Sequence, residues 1–293
     1  MRVDWLGDVG GVNRYANPTS AIRGIGRRFA IIRCERWSDV ATARPSLFDQ
    51  GGQGRNAMAT LPLNGNLIWI YPLLKEASYD PVRDLLPITA LTNQPGNLVV
   101  HPSLPVKSVK GLIDLAKAKP GALNYGSGGI GGSNHLSAEL FKAMAGINIV
   151  GVNYKGGGLA LNALIAGEVD LNFASAGTVM AHLKSGRLRA LAVTTLQPSA
   201  VFPEVPTLAA AGLPGYESIS FIGMFAPAKT PVTIVERLNQ EMVRYLNMTD
   251  TKQYFANVGV ETIGSSPQEF AALLRSEIAK WSKVIKDAGI RID

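Results

Sequence analysis

The feature of this sequence that most constrains its fold is a regular alternation of short apolar segments and amphipathic helical segments between residues 97 and 194. Apolar runs such as Asn97–Val100 and Arg189–Thr194 have the length and composition of buried strands, and helical patterns of two to four turns separate them. Strands joined through helices usually pair in parallel, because the helix returns the chain to the starting edge of the sheet. The sequence therefore predicts an α/β fold with βαβ units and a mainly parallel sheet.

Residues with known capping roles mark the ends of the predicted helices. Ser108 is placed to cap the N-terminus of a helix, and Gly146 and Gly167 follow the last apolar positions of two later helices. Ser266 and Glu269 form the capping-box pattern at the start of a long C-terminal helix. Apolar residues recur in that last helix with a period of about 3.6, so we expect one of its faces to pack on a core.

The net charge of +7 is distributed unevenly along the chain. Residues 1–60 hold nine Arg, no Lys and five acidic residues and contribute +4, whereas residues 61–293 contribute only +3. The front segment shows neither helical nor strand periodicity for more than a few positions. We interpret residues 1–60 as an atypical segment that is not native to the fold. The alternative is a basic arm, but such arms cluster Lys and Arg without Trp, so no nucleic-acid partner is predicted.

Several kinds of site are excluded by residue counts and spacing. The single cysteine, Cys34, excludes an intramolecular disulfide and a cysteine-cluster metal site. His101, His135 and His182 lie too far apart in the sequence for a local metal motif. No run approaches the roughly 18–20 apolar residues of a membrane span, and no signal peptide is recognisable in residues 1–35. The sequence predicts no metal site, and no cofactor is assigned.

The strongest chemical signal is the glycine-rich segment Gly126-Ser-Gly-Gly-Ile-Gly-Gly132, which joins a predicted strand to a predicted helix. Glycines allow neighbouring backbone N–H groups to form a concave cradle, and the positive end of the helix dipole adjoins it. Ser127, Ser133 and Asn134 add side-chain donors. The segment therefore predicts a site for a carboxylate or phosphate, with a tight turn that binds nothing as the alternative.

The same segment matches the dinucleotide fingerprint G-x-G-x-x-G from Gly126 to Gly131. That fingerprint also requires an acidic residue near the end of the next strand, where this chain has Gly151-Val-Asn-Tyr-Lys155.

His135 could donate to a carboxylate or hydrogen-bond locally, and both readings stay open. No nucleophile or base accompanies the loop, which favours binding over catalysis. The alternative function is an NADP-dependent oxidoreductase that uses this loop, with Lys155 near the cofactor phosphate.

A set of short motifs carries a family resemblance from about Tyr71 to Asp293. The motifs include Tyr79-Asp-Pro-Val-Arg-Asp84, Val99-Val-His-Pro-Ser-Leu-Pro105, Leu123-Asn-Tyr-Gly-Ser127, Tyr154-Lys-Gly156, Gly186-Arg-Leu-Arg-Ala-Leu-Ala-Val193, Phe202-Pro-Glu-Val-Pro-Thr207 and Ala211-Gly-Leu-Pro-Gly215. In order and spacing they resemble the substrate-binding proteins of tripartite tricarboxylate transporters, the Bug family.

The resemblance implies a type II periplasmic-binding-protein fold, in which two α/β domains are joined by a hinge and enclose an interdomain cleft. Domain I would comprise residues 61–101 and 226–293, and domain II residues 102–225. Residues 1–70 do not match the first βα unit of the family or its Gly-Gly-x-x-Asp loop. Domain I is therefore expected to be incomplete, which would impair ligand binding and export.

The implied function is that of a non-enzymatic, monomeric receptor in the periplasm. It would bind a small carboxylate and deliver it to the membrane permease subunits of a tripartite transporter. The ligand-binding residues expected from the loop and from the resemblance are Ser127, Gly128, Gly129, Gly131, Gly132, Ser133, Asn134, His135, Tyr154, Lys155, Ser175 and Phe221.

Overall fold

In the computed structural model of the chain, the backbone is described for residues 2–5, 29–33 and 58–291, and the side chains from residue 68 to residue 291. The interpretation of residues 1–60 as an atypical segment, and that of Cys34, therefore concerns residues that lie mostly outside the described set.

The described chain alternates strands and helices through most of its length, as the apolar pattern predicts. The strands are β1 (Arg2–Trp5), β2 (Phe29–Arg33), β3 (Met58–Asn64), β4 (Leu85–Val100), β5 (Asn124–Ser127), β6 (Val150–Asn153), β7 (Leu171–Ser175), β8 (Arg189–Val193), β9 (Ile219–Pro227) and β10 (Glu261–Thr262). The helices are α1 (Gly65–Leu74), α2 (Val109–Ala118), α3 (Ser133–Ala145), α4 (Gly157–Ala166), α5 (Ala176–Lys184), α6 (Val232–Leu246), α7 (Thr249–Asn257) and α8 (Pro267–Asp287).

The chain divides into two compact units. Unit 1 comprises Met1–Thr92, Phe221–Phe255 and Thr262–Lys280, and unit 2 comprises Asn93–Ser220, Ala256–Glu261 and Trp281–Asp293. The chain passes between the units at five points, within β4, β9, α7, β10 and α8.

The sheet of unit 2 is mixed, which corrects the prediction of a mainly parallel sheet. Strand β5 pairs in parallel with β6 and β7, as expected for strands joined through helices. The C-terminal half of β4, in contrast, runs antiparallel to both β7 and β8. Apolar periodicity locates a strand but not its direction, and β4 enters unit 2 from unit 1 before the first helical crossover.

Helices cover both faces of the unit 2 sheet. Val179 of α5 and Leu164 of α4 pack with Ala174 of β7 in one core cluster. The preceding residue of β7, Phe173, points to the opposite face of the sheet. There its ring packs against the ring of Phe141 from α3, with the two centroids 5.6 Å apart. The C-terminal edge of the parallel strands therefore lies between helices that approach from both sides.

Unit 1 has its own core. One face of α6 packs Val235, Leu238 and Met242 against Ile88 of β4 and Met224 of β9.

The capping box predicted for α8 is confirmed at the backbone. The Ser266 N–H donates to Glu269 Oε2 at 2.8 Å, and the Glu269 N–H donates to Ser266 Oγ at 3.2 Å. The bonds from Ser266 lower the pKa of the Glu269 carboxyl.

We predict that Gly223→Ala destabilises unit 1. A Cβ at this position would overlap the ring of Phe270, which is fully buried and packs against Phe221 and Phe225 at centroid distances of 5.8 and 4.8 Å. Because the ring cannot move aside, the free energy of unfolding should fall by about 2 kcal/mol or more. Denaturant unfolding measures the loss. The matched control is Gly158→Ala in α4, where a Cβ meets nothing within 4 Å. Equal stability of the two variants would contradict this account.

Candidate functional site

Three helices of unit 2 begin without a side-chain cap at the C-terminal ends of neighbouring strands. Gly132 precedes α3 after β5, Gly156 precedes α4 after β6, and Ser175 precedes α5 after β7, and none of them makes a side-chain capping bond. Helix α2 differs, because Ser108 Oγ accepts from the Gly111 N–H at 3.1 Å. The N–H groups of a first helical turn lack partners within the helix and carry the positive end of its dipole. This edge of unit 2 can therefore bind an anion without a cationic side chain.

The glycine-rich loop before α3 is held in shape by its own polar groups. Ser127 Oγ donates to Asn153 Oδ1 at 2.5 Å and accepts from the Gly129 N–H at 3.3 Å. The Gly132 N–H closes a turn on the Gly129 carbonyl at 3.2 Å. Gly129 and Gly131 have φ values of +133° and +77°, in the region that favours glycine. Hydrogen bonds within the protein therefore hold the loop in this shape without a ligand.

Gly128 is required by a neighbouring loop. Its carbonyl accepts from the Gly156 N–H at 3.2 Å, and the Ser127 carbonyl accepts from the Tyr154 N–H at 2.8 Å. A Cβ at residue 128 would lie 2.6 Å from the Gly157 nitrogen. The missing side chain of Gly128 therefore admits a second stretch of backbone, and contact of this residue with a ligand stays a prediction.

His135 hydrogen-bonds to the loop from the first turn of α3. Its Nδ1 is the acceptor for the Gly131 N–H at 3.4 Å, so the ring proton resides on Nε2. Burial lowers the pKa of the imidazole, while Glu139 opposes that shift and Lys142 adds to it. Tyr125 Oη donates to Glu139 at 2.6 Å, and Lys142 pairs with the same carboxylate at 2.8 Å. The local reading of His135 is thus observed, and its contact with a ligand stays a prediction.

The other predicted site residues fall in different surroundings. Asn134 and Tyr154 are half-buried and Lys155 is exposed, all beside the loops of unit 2. Ser175 is half-buried at the end of β7. Phe221 belongs to unit 1, where its ring is fully buried and stacks on Trp69 with centroids 4.4 Å apart. Ligand contacts by all of these residues stay predictions.

A small cavity of about 40 Å³ in unit 2 adjoins the N-termini of α3 and α5. Its lining consists of Gln94, Gly96, Ser133, Ser137, Phe173, Ala174, Ser175, Ser218, Ile219 and Ser220. Only Ser133 and Ser175 were among the predicted site residues. Ser137, Phe173 and Ala174 are near these two in the sequence but read as ordinary helix and strand positions. The rest were missed because they come from β4 and from the start of β9, which are distant in sequence from the glycine-rich segment. The one available signal was the polar pair Ser218 and Ser220 at the start of a strand.

Metal and membrane sites can be assessed for the described residues. Within residues 2–5, 29–33 and 58–291, no three His, Cys, Asp or Glu side chains are grouped as metal ligands would be. In the same part of the chain, no helix combines the length and the apolar character that crossing a bilayer requires.

Comparison with known proteins is consistent with this geometry. A model of the tripartite tricarboxylate transporter family receptor matches residues 59–290. Protein BugT of Bordetella pertussis is 30% identical over 220 residues, which are 75% of this chain and 68% of BugT. Among solved structures, Rpa4515 of R. palustris with adipate is 35% identical with a TM-score of 0.73, and the match covers 87% of this chain and 82% of that one. MatC of Rhodopseudomonas palustris with bound malate is 26% identical with a TM-score of 0.69, covering 85% and 82%. These matches confirm the predicted α/β fold of periplasmic solute-binding proteins.

The lowered pKa of His135 predicts a loss of stability in acid. Well above pH 6.5, the ordinary pKa of histidine, both the folded and the unfolded chain hold a neutral imidazole, and His135 contributes no pH dependence. Below that value the unfolded chain takes up the proton first, so the free energy of unfolding should fall, by up to about 1.4 kcal/mol per pH unit. Denaturant unfolding at pH 7.5 and 5.5 should show a smaller fall for His135→Gln than for the native chain. His101→Gln is the control, and an equal fall in both variants would contradict the assignment.

Proposed function

Because the chain belongs to the tripartite tricarboxylate transporter receptor family, we propose that it captures a small carboxylate and delivers it to the permease subunits of such a transporter. The receptor acts without catalysis, as a monomer and in the periplasm. Family membership supports the non-catalytic role and the periplasmic location, since receptors of this class bind a solute and hand it on unchanged.

The observation that carries the proposal is the row of three uncapped helix N-termini at the ends of β5, β6 and β7. Neighbouring strands lie about 4.8 Å apart, so a carboxylate at this edge of unit 2 can reach the first turns of adjacent helices. Each hydrogen bond from an N–H group to a charged oxygen contributes about 1.5–3 kcal/mol. Backbone donors can therefore replace the hydration of the anion.

The ligands of two relatives support the choice of anion. Adipate and malate, which occupy the two R. palustris proteins, are both small carboxylates. The contact predicted for Ser133 belongs to this proposal, because its N–H group lies in the first turn of α3, which no side chain caps. The N–H groups of Gly129 and Gly132 and the hydroxyls of Ser127 and Ser175 already donate to other groups of unit 2.

A test of the site removes a single N–H donor. Ser133 is the first residue of α3, where proline fits without breaking a helix, and Gly132 before it has φ −68° and ψ 161°, which proline also allows. Ser133→Pro should therefore fold normally and bind carboxylates about tenfold or more weakly, since one charge-assisted bond is lost. Isothermal titration calorimetry against succinate, adipate and citrate measures the affinity.

The matched control is Ser133→Ala, which removes the hydroxyl and keeps the N–H group. Loss of affinity in the proline variant alone assigns the contact to the backbone. Equal affinity in both variants and the native chain would place the carboxylate elsewhere. Binding of NADP with no response to any carboxylate would refute the proposed function.

A further inference from the structure

In the cavity beside α3 and α5, the hydroxyl of Ser218 already donates its proton to a neighbouring residue, as two hydrogen bonds show. Ser137 Oγ lies 2.8 Å from the Ser133 carbonyl, which can only accept, so Ser137 donates there. Ser137 and Ser218 share a second bond of 2.6 Å between their hydroxyl oxygens. Because Ser137 has no further proton, Ser218 must be the donor in that bond. Ser218 therefore presents a lone pair, and no proton, to the rest of the cavity.

Ser175, on the other side of the cavity, is in a similar position. Thr178 Oγ1 donates to the Ser175 carbonyl at 2.8 Å, which uses the proton of that hydroxyl. The contact of 3.2 Å between Ser175 Oγ and Thr178 Oγ1 then has Ser175 as its donor. Two hydroxyls in the lining thus act as acceptors toward an occupant.

The wall that carries Ser218 is rigid. Ser137 and Ser218 are only 5% and 6% exposed, and Tyr216 Oη donates to the Ser137 carbonyl at 2.9 Å. The Ser218 N–H donates to the Thr194 carbonyl at 2.9 Å, and Thr194 Oγ1 accepts from the Gly96 N–H at 3.0 Å. These bonds fix the direction of the lone pair before any ligand arrives.

All the side chains that line the cavity are uncharged. An ammonium group there would lose its hydration without an opposing charge. A second carboxylate could accept from Gln94 but has no proton to offer the lone pairs of Ser218 and Ser175. A hydroxyl suits the site, because it can donate to Ser218 and accept from the amide of Gln94. Its size also matches a cavity that holds little more than one or two water molecules.

We propose that this cavity binds a hydroxyl group of the ligand, so that the receptor selects hydroxycarboxylates over the corresponding acids without the hydroxyl. This inference rests on the proposed function. Ser133 and Ser175 belong both to the cavity lining and to the helix N-termini proposed for the carboxylate. The hydroxyl therefore lies one or two carbons from the bound carboxylate, and Ser218 is the residue that determines this specificity.

The test compares two pairs of acids that differ by one hydroxyl, L-malate with succinate and lactate with propionate, by calorimetry on the full chain. One neutral hydrogen bond in a preformed site predicts that the hydroxy acid of at least one pair binds about fivefold to tenfold more tightly. Ser218→Ala should reduce that ratio to below about twofold. Ser276→Ala, at an exposed serine of α8, is the matched control and should keep it.

The outcomes separate this inference from the proposed function. Equal or tighter binding of succinate and propionate would overturn the hydroxyl preference and leave the carboxylate receptor standing. A preference that survives Ser218→Ala would overturn the assignment to this cavity. If none of these acids, nor adipate or citrate, binds, the proposed function fails and this inference fails with it. The comparison of acids on the native chain needs no variant to fold.

Discussion

The N–H groups at the starts of α3, α4 and α5, which no capping side chain bonds, are the constraint on which the rest of unit 2 depends. They arise because β5, β6 and β7 run in the same direction and each leads directly into a helix. Parallel pairing places the three helix starts at one edge of the sheet, and the cap residues supply no side-chain acceptor to the N–H groups of their first turns.

The loops at this edge hold their shape because glycine allows backbone to pack on backbone. Gly128 contacts Gly157 where a Cβ would collide, and the amide of Asn153 and the ring of His135 each bind a polar group of the loop. A site whose donors are already positioned loses little conformational entropy when a ligand binds, so more of the interaction energy appears as affinity. The closeness that glycine permits therefore serves both the packing of the unit and the proposed binding of an anion.

Local signals in the sequence predicted local structure well. Ser108, Gly146 and the Ser266–Glu269 pair mark helix ends because capping is decided within a few residues. The direction of β4 was not predictable, since it depends on pairing with β7 and β8 across 70 or more residues. The hydroxyl cavity was missed for the same reason: Ser137 and Ser218 are 81 residues apart, and only the fold places them 2.6 Å from each other. The glycine pattern in the sequence thus locates the loop that we propose to bind the anion, but not the residues that would choose among anions.

The two parts of the proposed site differ in how they would change during evolution. Backbone amides are present whatever the side chain, so a carboxylate site built from helix starts tolerates substitution as long as its glycines and strand directions persist. Hydroxyl lone pairs belong to individual serines, and one substitution removes or reverses them. Relatives that share only about a third of their residues can therefore keep the same charged end of the ligand and differ at the other end. The net charge of the chain has no direct role in either part as proposed, because helix starts and serine hydroxyls supply the contacts that carry the two proposals.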